Sequence, residues 1–440
     1  MYHLRTGMLL GCLTFMTCCA SLQAENWPGW RGPRGDGTSL ETSIPQEWDG
    51  PSGKNIAWKV PLAGIGHASP IVWENRIFVV SCVKGSQMRT LTCFERTTGK
   101  RLWHQEVIKS NLERLHALNS YASSTPATDG ELVYVAFLQS DGGTTPALNE
   151  GAARPATLGR VVVAAYDFEG RRQWLQQVGE FASVHGFCSC PVLYNEMVIL
   201  NGDHDGDGYV VALDRKTGET RWKVARKHHT RSYVTPLIRT VAGRQEMVLS
   251  GSRSVISLNP DDGSTIWEID GPTEQFVASM VYDGKLFFMA AGFPTYHVMG
   301  IRPGGQGNVT QTHVAWHARN AACYVPSPVV LENRLFVADD RGTANCYDAT
   351  TGKRLWKSRL GKHYSASLIS GGGKVYFLSD DGITKIVAPA EKLEVLAENR
   401  LFAEGQTGEF CSASPALSGG QLFVRTNKHL FCIGKTAAER

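Results

Sequence analysis

The most distinctive group of possible metal ligands is a short acidic segment rich in glycine. Asp203, Asp205 and Asp207 alternate with other residues, and Gly208 is the sixth residue counted from Asp203. Alternate aspartates place hard oxygen atoms on one side of a turn, and a glycine at the sixth place permits the sharp bend of a calcium loop. The twelfth place holds Asp214, which a predicted strand carries away from the loop. The segment therefore predicts either a calcium site at the three aspartates or a solvated hairpin tip.

A second group consists of aromatic and imidazole side chains that recur at roughly regular intervals. Each lies shortly before an apolar run that predicts a strand, and the group comprises His67, Tyr121, His185, Tyr233, Tyr324 and His363. Amphipathic rings gathered around one concavity are typical of ligand and peptide sites. The same rings could instead plug a channel and satisfy one another, and both interpretations stay open at this point.

Composition and the absence of other motifs narrow the function classes. The 440 residues include 45 basic and 41 acidic side chains, for a net charge of +4. No block of like charges or glycine-rich phosphate loop occurs, so nucleic-acid binding has no support in the charge pattern. The 46 Gly, 13 Tyr, 17 Phe and 11 Trp indicate short strands joined by tight turns.

The elements that must position these residues are repeats. A glycine is followed four residues later by a tryptophan at Gly99, Gly170, Gly218, Gly263 and Gly352. A small residue, in most cases followed by proline, begins an apolar run eight times, at Ser69, Thr125, Cys190, Thr235, Ser279, Ser327, Ser367 and Ser414. Eight units of four short strands predict an all-β fold, an eight-bladed β-propeller of four-stranded antiparallel blades. The first strand of each blade should line the channel, where an unpaired side tolerates proline, and the tryptophan should cover the gap between blades.

The last unit is incomplete and indicates how the ring closes. It stops at Ile433 after its third strand and lacks a tryptophan, whereas residues 55–60 near the other end contain Trp58 in a strand-like run. We therefore expect an N-terminal strand to complete the eighth blade, which removes the exposed sheet edges.

The repeat pattern resembles the pyrroloquinoline-quinone-type (PQQ-like) β-propeller repeat family over roughly residues 55–434. The resemblance rests on the Thr-Gly-Lys-x-x-Trp units at 98–103 and 351–356 and on the count of eight. That family includes quinone-dependent alcohol and sugar dehydrogenases and the BamB-type scaffold of outer-membrane barrel assembly, so the resemblance implies the fold and leaves the function to the site. The segment Trp27 to Pro33 is similar to an N-terminal element of exported bacterial members of unassigned activity.

The resemblance also bears on the dehydrogenase activity of this family. Quinoprotein alcohol dehydrogenases hold a bridge between adjacent cysteines against the quinone, and the only adjacent pair here is Cys18-Cys19. No set of calcium ligands or catalytic aspartate can be matched residue by residue. We therefore predict an exported, non-catalytic binding or scaffold protein of the bacterial cell envelope, BamB-like and without a cofactor. The alternative is a PQQ- and calcium-dependent oxidoreductase.

The ends of the chain predict its organisation and destination. Residues 1–24 read as a signal peptide, 25–54 as an N-terminal arm, 55–434 as the propeller and 435–440 as a tail. No other stretch approaches the ~18 apolar residues of a membrane-spanning helix, so we expect a periplasmic monomer with a protein, peptide or polymer partner. Leu9 to Cys12 resembles a lipoprotein cleavage box, which gives a lipid-anchored form as the less favoured alternative.

Three local predictions follow from the same alignment of repeats. Most of the eight cysteines after residue 24 should be free, because Cys93, Cys190, Cys346 and Cys432 replace small residues of other repeats. A bridge between Cys82 and Cys93 is the one disulfide we consider. Residues 105–119 have helical spacing, and residues 140–158 read as a long loop inside the second blade, either a lid or flexible surface.

Overall fold

The computed structural model describes residues 24–146, 155–406 and 408–435. Except for Ala24, the predicted signal peptide lies outside the described residues, as does most of the predicted tail. Strands dominate the rest, in eight antiparallel sheets that each form one blade. The prediction of an all-β, eight-bladed propeller is confirmed.

Each blade runs from a short first strand to an outermost fourth strand. Blades one to four contain, in chain order, Ile71–Trp73, Arg76–Val83, Met88–Glu95 and Arg101–Lys109; Ala127–Thr128, Leu132–Thr145, Ala156–Asp167 and Arg172–Ser183; Val192–Tyr194, Met197–Gly202, Tyr209–Asp214 and Thr220–Ala225; and Leu237–Val241, Arg244–Gly251, Ser254–Leu258 and Thr265–Asp270. The two-residue strand Gly307–Asn308 adds a parallel fifth strand to blade four. First strands of neighbouring blades contact one another, so they form the inner wall of the ring.

The second half of the ring repeats the arrangement with shorter strands. Blades five to eight contain Val281–Tyr282, Phe287–Ala291, His297–Ile301 and Val314–Ala318; Val329–Leu331, Arg334–Ala338, Thr343–Asp348 and Arg354–Arg359; Ile369–Gly371, Lys374–Leu378, Ile383–Val387 and Val395–Arg400; and Ala416–Ser418, Gln421–Arg425, His429–Ile433 and Ile56–Pro61. A four-residue helix, Thr310–His313, and a 3-10 turn, Lys84–Ser86, are the helical elements of the described chain. Among the described residues, no helix has the length and apolar character needed to span a bilayer.

The ring closes through its two ends, as predicted. The strand Ile56–Pro61 is the fourth strand of blade eight and pairs antiparallel with His429–Ile433, with Trp58 opposite Cys432. The indole nitrogen of Trp58 then donates to the carbonyl of Arg96 in blade one, 2.9 Å away. The closing strand therefore joins the last blade to the first.

The glycine–tryptophan repeat is a contact between neighbouring blades. Gly218 has a φ of 77°, and a β-carbon there would lie 2.7 Å from the ring of Trp174 in the preceding blade. The side-chain carboxylate of Asp214 holds this turn by accepting the backbone N–H groups of Lys216 and Thr217 at 2.9 Å. The same pairing joins Gly99 to Trp58, Gly170 to Trp103, Gly263 to Trp222 and Gly352 to Trp316. Glycine is required there both for its left-handed backbone and for the approach of the indole.

Three local predictions are corrected or answered by the structure. The helix predicted over 105–119 is wrong: the fourth strand of blade one runs to Lys109, with Val107 and Ile108 buried, and irregular chain follows. Within the loop predicted over 140–158, the residues up to Thr145 and from Ala156 lie in two strands, and residues 147–154 lie outside the described residues. None of the eight cysteines within the described residues is in a disulfide, so the bridge considered between Cys82 and Cys93 does not form.

Candidate functional site

The N-terminal arm lies across one face of the ring and closes the channel there. Trp27 pairs with Val72 in the middle of the first strand of blade one, and the backbone N–H of Thr128 in blade two donates to the carbonyl of Pro28 at 2.8 Å. On the other side of the ring, Ser39 and Ser370 are joined through backbone hydrogen bonds at blade seven. These contacts involve residues within the first strands or at their last position, so the residues that precede the first strands face the opposite, open mouth.

Trp30 is the part of the arm that reaches the channel. Its indole nitrogen donates to Oγ of Ser279, 3.3 Å away, and its ring lines the central cavity. The neighbouring Arg31 is buried and donates to the carbonyl of Pro328 in blade six. The channel is therefore a blind cavity of about 100 Å³ that opens at one mouth.

A belt of hydrogen bonds runs around the channel at the small residues that begin the first strands. Seven backbone N–H groups donate to the side chain of the belt residue in the next blade: Ser69 to Thr125, Thr125 to Cys190, Cys190 to Thr235, Thr235 to Ser279, Ser279 to Ser327, Ser327 to Ser367 and Ser367 to Ser414. The belt explains why this position is Ser, Thr or Cys, since seven of the eight side chains act as small acceptors.

The structure brings four of the six predicted mouth residues to the cavity wall. His67, His185, Tyr233 and Tyr324 line it, and the rings of His185 and Tyr233 stack with centroids 6.2 Å apart. Four of the residues that precede first strands therefore share one cavity, whereas their role in binding stays a prediction.

The imidazoles of the cavity are neutral at physiological pH. Burial, together with the charge of Arg425, lowers the pKa of His67 to about 4. Burial and the charge of Arg231 lower the pKa of His185 to about 3. Nδ1 of His67 lies 3.3 Å from the carbonyl of Leu118, which assigns the proton of the neutral ring to Nδ1. These rings can offer hydrogen bonds and apolar surface to a ligand without adding charge.

The other two predicted residues lie outside the cavity lining. The ring of Tyr121 packs under Lys84 and Arg89, whose cationic groups lie 5.6 and 5.7 Å from its centroid. Nδ1 of His363 lies 2.7 Å from Oδ2 of Asp380 in the second hairpin of blade seven. Burial raises the pKa of Asp380 above its usual range, although the histidine opposes that shift.

Some lining residues were not predicted from the sequence. His116 and Asn119 come from the irregular connection between blades one and two, and the rings of His116 and His185 lie 5.0 Å apart. Trp30 was noted as part of an arm motif but not as the floor of the channel. Ser365 also lines the wall, where it donates to Asp380 at 2.9 Å.

The acidic segment of blade three is tied to arginines of the chain that follows it. Oδ1 of Asp203 accepts from Nε of Arg226 at 2.9 Å, and the buried Asp205 pairs with the buried Arg231. Asp207 is exposed, with its Oδ1 3.2 Å from Nδ1 of His229. The three carboxylates thus have three different partners, and no cluster of three His, Cys, Asp or Glu side chains suited to a metal occurs in the described parts of the chain. The calcium site stays a prediction.

A quinone and its calcium ion would need a cavity of sufficient volume and carboxylate ligands in its wall. Pockets that hold drug-sized ligands enclose ~300–1,000 Å³, and the cavity encloses about 100 Å³. Its wall carries imidazole, phenol, hydroxyl and thiol groups but no carboxylate that could ligate calcium. The described residues therefore do not fit the pair of cofactors.

Comparison with known proteins gives one family. The profile of the family described as outer membrane protein assembly factor BamB, a PQQ-like propeller family, matches residues 46–154, 139–287 and 309–437. The outer membrane protein assembly factor BamB of Nitrosomonas eutropha is 26% identical over 120 residues, which are 25% of this chain and 29% of that protein. The aligned part thus spans less than a third of that relative.

Two solved structures share the fold. BamB from Moraxella catarrhalis matches with a TM-score of 0.57 and 10% identity, covering 87% of this chain and 98% of that one. A europium-containing methanol dehydrogenase matches with a TM-score of 0.52 and 12% identity, covering 91% of this chain and 89% of that one. At these identities the likeness concerns the fold alone.

Proposed function

The chain belongs to the PQQ-like β-propeller family described as outer membrane protein assembly factor BamB, and from this premise we propose that it is an exported, non-catalytic scaffold of the bacterial cell envelope. It binds a protein partner at the open mouth of its channel. The observation that carries the proposal is the asymmetry of the ring: the arm covers one face and Trp30 closes that end, whereas the other end presents aromatic and imidazole side chains.

The rim of the open mouth has the composition of a protein-binding surface. Phe410 is 41% exposed, and its ring lies edge-on against His67 at a centroid distance of 6.4 Å. Tyr121 is half-buried on the same rim, with its ring under the cationic groups of Lys84 and Arg89. Exposed rings held in place by neighbours lose little entropy when they are covered, and aromatic anchors commonly dominate binding energy.

The experiment compares the rim with an equally exposed apolar side chain elsewhere. Tyr121→Ala and Phe410→Ala alter the rim, and Leu102→Ala alters the fourth strand of blade one, where Leu102 is 44% exposed. After crosslinking in intact cells, we expect an envelope protein that is recovered with the parent and with Leu102→Ala to be lost from the rim variants. Melting temperatures should be similar for all. An unchanged partner set in the rim variants would contradict the proposal.

The alternative of a PQQ- and calcium-dependent oxidoreductase has its own test. Purified chain is mixed with the quinone and calcium, and the protein-bound fraction is examined for a cofactor absorption band and for dye reduction with alcohols. A stoichiometric band with turnover would replace the scaffold proposal by the enzyme.

A further inference from the structure

The floor of the blind cavity carries hydroxyl groups whose hydrogens have no acceptor. Thr235, Ser279, Ser367 and Ser414 line the cavity and are each at least nine-tenths buried. Every one accepts a belt hydrogen bond through its oxygen, yet none donates to an acceptor within the described chain. A buried donor without an acceptor costs free energy. The floor is therefore suited to a ligand group that accepts hydrogen bonds.

The hydroxyl of Ser279 has both of its lone pairs occupied. Its Oγ accepts from the backbone N–H of Thr235 at 3.1 Å and from the indole of Trp30 at 3.3 Å. Since a hydroxyl oxygen has two lone pairs, the remaining capacity of Ser279 is its O–H. At Ser279 the belt and the indole thus use both lone pairs and leave only the O–H as a donor.

The electrostatic surroundings favour a negative group. Arg425 is fully buried behind His67, where it donates to the carbonyl of Ala68 at 2.9 Å and to Oγ of Ser81 at 3.0 Å. Burial alone lowers the pKa of Arg425, to about 9, with no carboxylate of the described residues opposing it, and its Nε has no hydrogen-bond partner there. A buried guanidinium without a counter-charge attracts an anion placed nearby. Two carboxylates approach the wall, and both have partners: Asp380 accepts from the backbone N–H of Ser365 and lies beside His363, and Asp340 accepts from the backbone N–H of Val325.

We propose that the blind cavity binds a carboxylate group, which accepts hydrogen bonds from the free hydroxyls of Ser279, Ser367 and Ser414. The inference deepens the proposed function and rests on the open mouth being the binding face. Tyr233, Val277, Tyr324 and Val325 line the wall above the floor, so the group is carried on an apolar or aromatic stem. A singly charged carboxylate suits this floor better than a phosphate, because no cationic side chain lines the cavity to balance a second charge.

The carboxylate could belong to a small free acid or to the carboxyl terminus of a partner segment that enters the mouth. Both present a carboxylate on a short stem, and the volume of about 100 Å³ admits little more than that. The probes must therefore include both.

The first measurement needs no variant. Binding of benzoate and of benzamide to the purified chain is measured by calorimetry, together with a peptide that ends in phenylalanine with either a free or an amidated carboxyl terminus. We expect benzoate or the free peptide to bind at least tenfold more tightly than its neutral counterpart. Equal binding within both pairs, or no binding of either acid, would overturn the inference. Preference for benzoate or for the free peptide identifies the source.

The second measurement uses a matched pair of belt residues. Ser367→Ala removes a hydroxyl that lines the cavity, whereas Ser327→Ala removes one that makes the same belt bond without lining it. Both should lower stability to a similar extent, and Ser367→Ala alone should weaken binding about tenfold. Equal losses of affinity would overturn the inference. These binding data are independent of the crosslinking test, so failure of either proposal is seen separately.

Discussion

The indole nitrogen of Trp30 donates to Oγ of Ser279 and thereby fixes an arm residue to the hydrogen-bonded belt of the ring. The contact joins a segment outside the propeller to the channel wall, and it makes the channel blind. The arm is consequently part of the cavity as well as a cover of one face.

Trp30→Ala is expected to open the closed end of the channel. Water should then reach the belt from both sides, so hydrogen exchange of the belt amides of Thr235 and Ser279 should accelerate. Trp30→Phe is the control, because it keeps most of the volume and loses only the N–H donor. Exchange that is equally slow in Trp30→Ala and the parent would show that the arm does not seal the channel.

Deletion of residues 55–60 is expected to expose the third strand of blade eight. Trp58 pairs opposite Cys432 and its indole reaches Arg96 in blade one. The deletion therefore removes a strand of blade eight and also a contact between blade eight and blade one. Thermal unfolding followed by circular dichroism should lose its single cooperative transition. An unaltered melting curve would contradict closure by this strand.

Gly218→Ala should destabilise the junction of blades two and three. The added methyl would meet the ring of Trp174 at 2.7 Å, and a φ of 77° is unfavourable for alanine. Gly243 has a φ of 81° with nothing within 4 Å of a built β-carbon, so Gly243→Ala isolates the backbone effect. In urea unfolding, we expect backbone strain to lower the free energy of unfolding by about 1–3 kcal/mol in each variant. Gly218→Ala should lose more, because its methyl also meets the indole. Equal losses of unfolding free energy would show that the indole of Trp174 moves aside at little cost.

Acidification should destabilise the fold between about pH 6.5 and pH 4. The pKa values of His67 and His185 in the folded chain are about 4 and about 3, below the ordinary value of about 6.5. In that window the two histidines take up protons in the unfolded chain but stay neutral in the folded chain. Their contribution to the free energy of unfolding is therefore complete above pH 6.5 and declines as the pH falls. His67→Asn should reduce this decline in urea midpoints measured from pH 7.5 to pH 4.5. A slope identical to that of the parent would contradict the assignment to His67.

Alkylation of the denatured, unreduced protein should label the cysteines from Cys82 to Cys432. Burial raises the pKa of the thiols of Cys93 and Cys346 to about 12, which keeps them protonated and slow to oxidise in the folded protein. Mass spectrometry against a reduced sample should show the same eight modifications. Three or four disulfides would contradict the free-thiol assignment.

The fold could be predicted because its contacts recur at fixed places in the sequence. Gly218 and Trp174 belong to a repeat with fixed spacing, and Ser279 stands at a position where seven of the eight blades use a small acceptor. The site was predicted less completely, because loop geometry decides which way a side chain faces. His363 precedes a first strand like His67, yet a carboxylate two strands away turns it from the cavity. His116 belongs to a connection without a repeat, and the pattern of Val107 and its neighbours suits a strand as well as a helix.

The hydrogen-bonded belt has a consequence for the order in which the molecule assembles. Its bonds join each blade to the next along the chain, but Oγ of Ser69 has no partner at the junction with blade eight. That junction depends on the closing strand and on Arg425, whose partners Ala68 and Ser81 are separated from it by almost the entire sequence. Contacts of such sequence separation form late and slowly. A chain emerging in sequence order would therefore stack its blades first and remain an open spiral until its last residues are available, and only then become a ring.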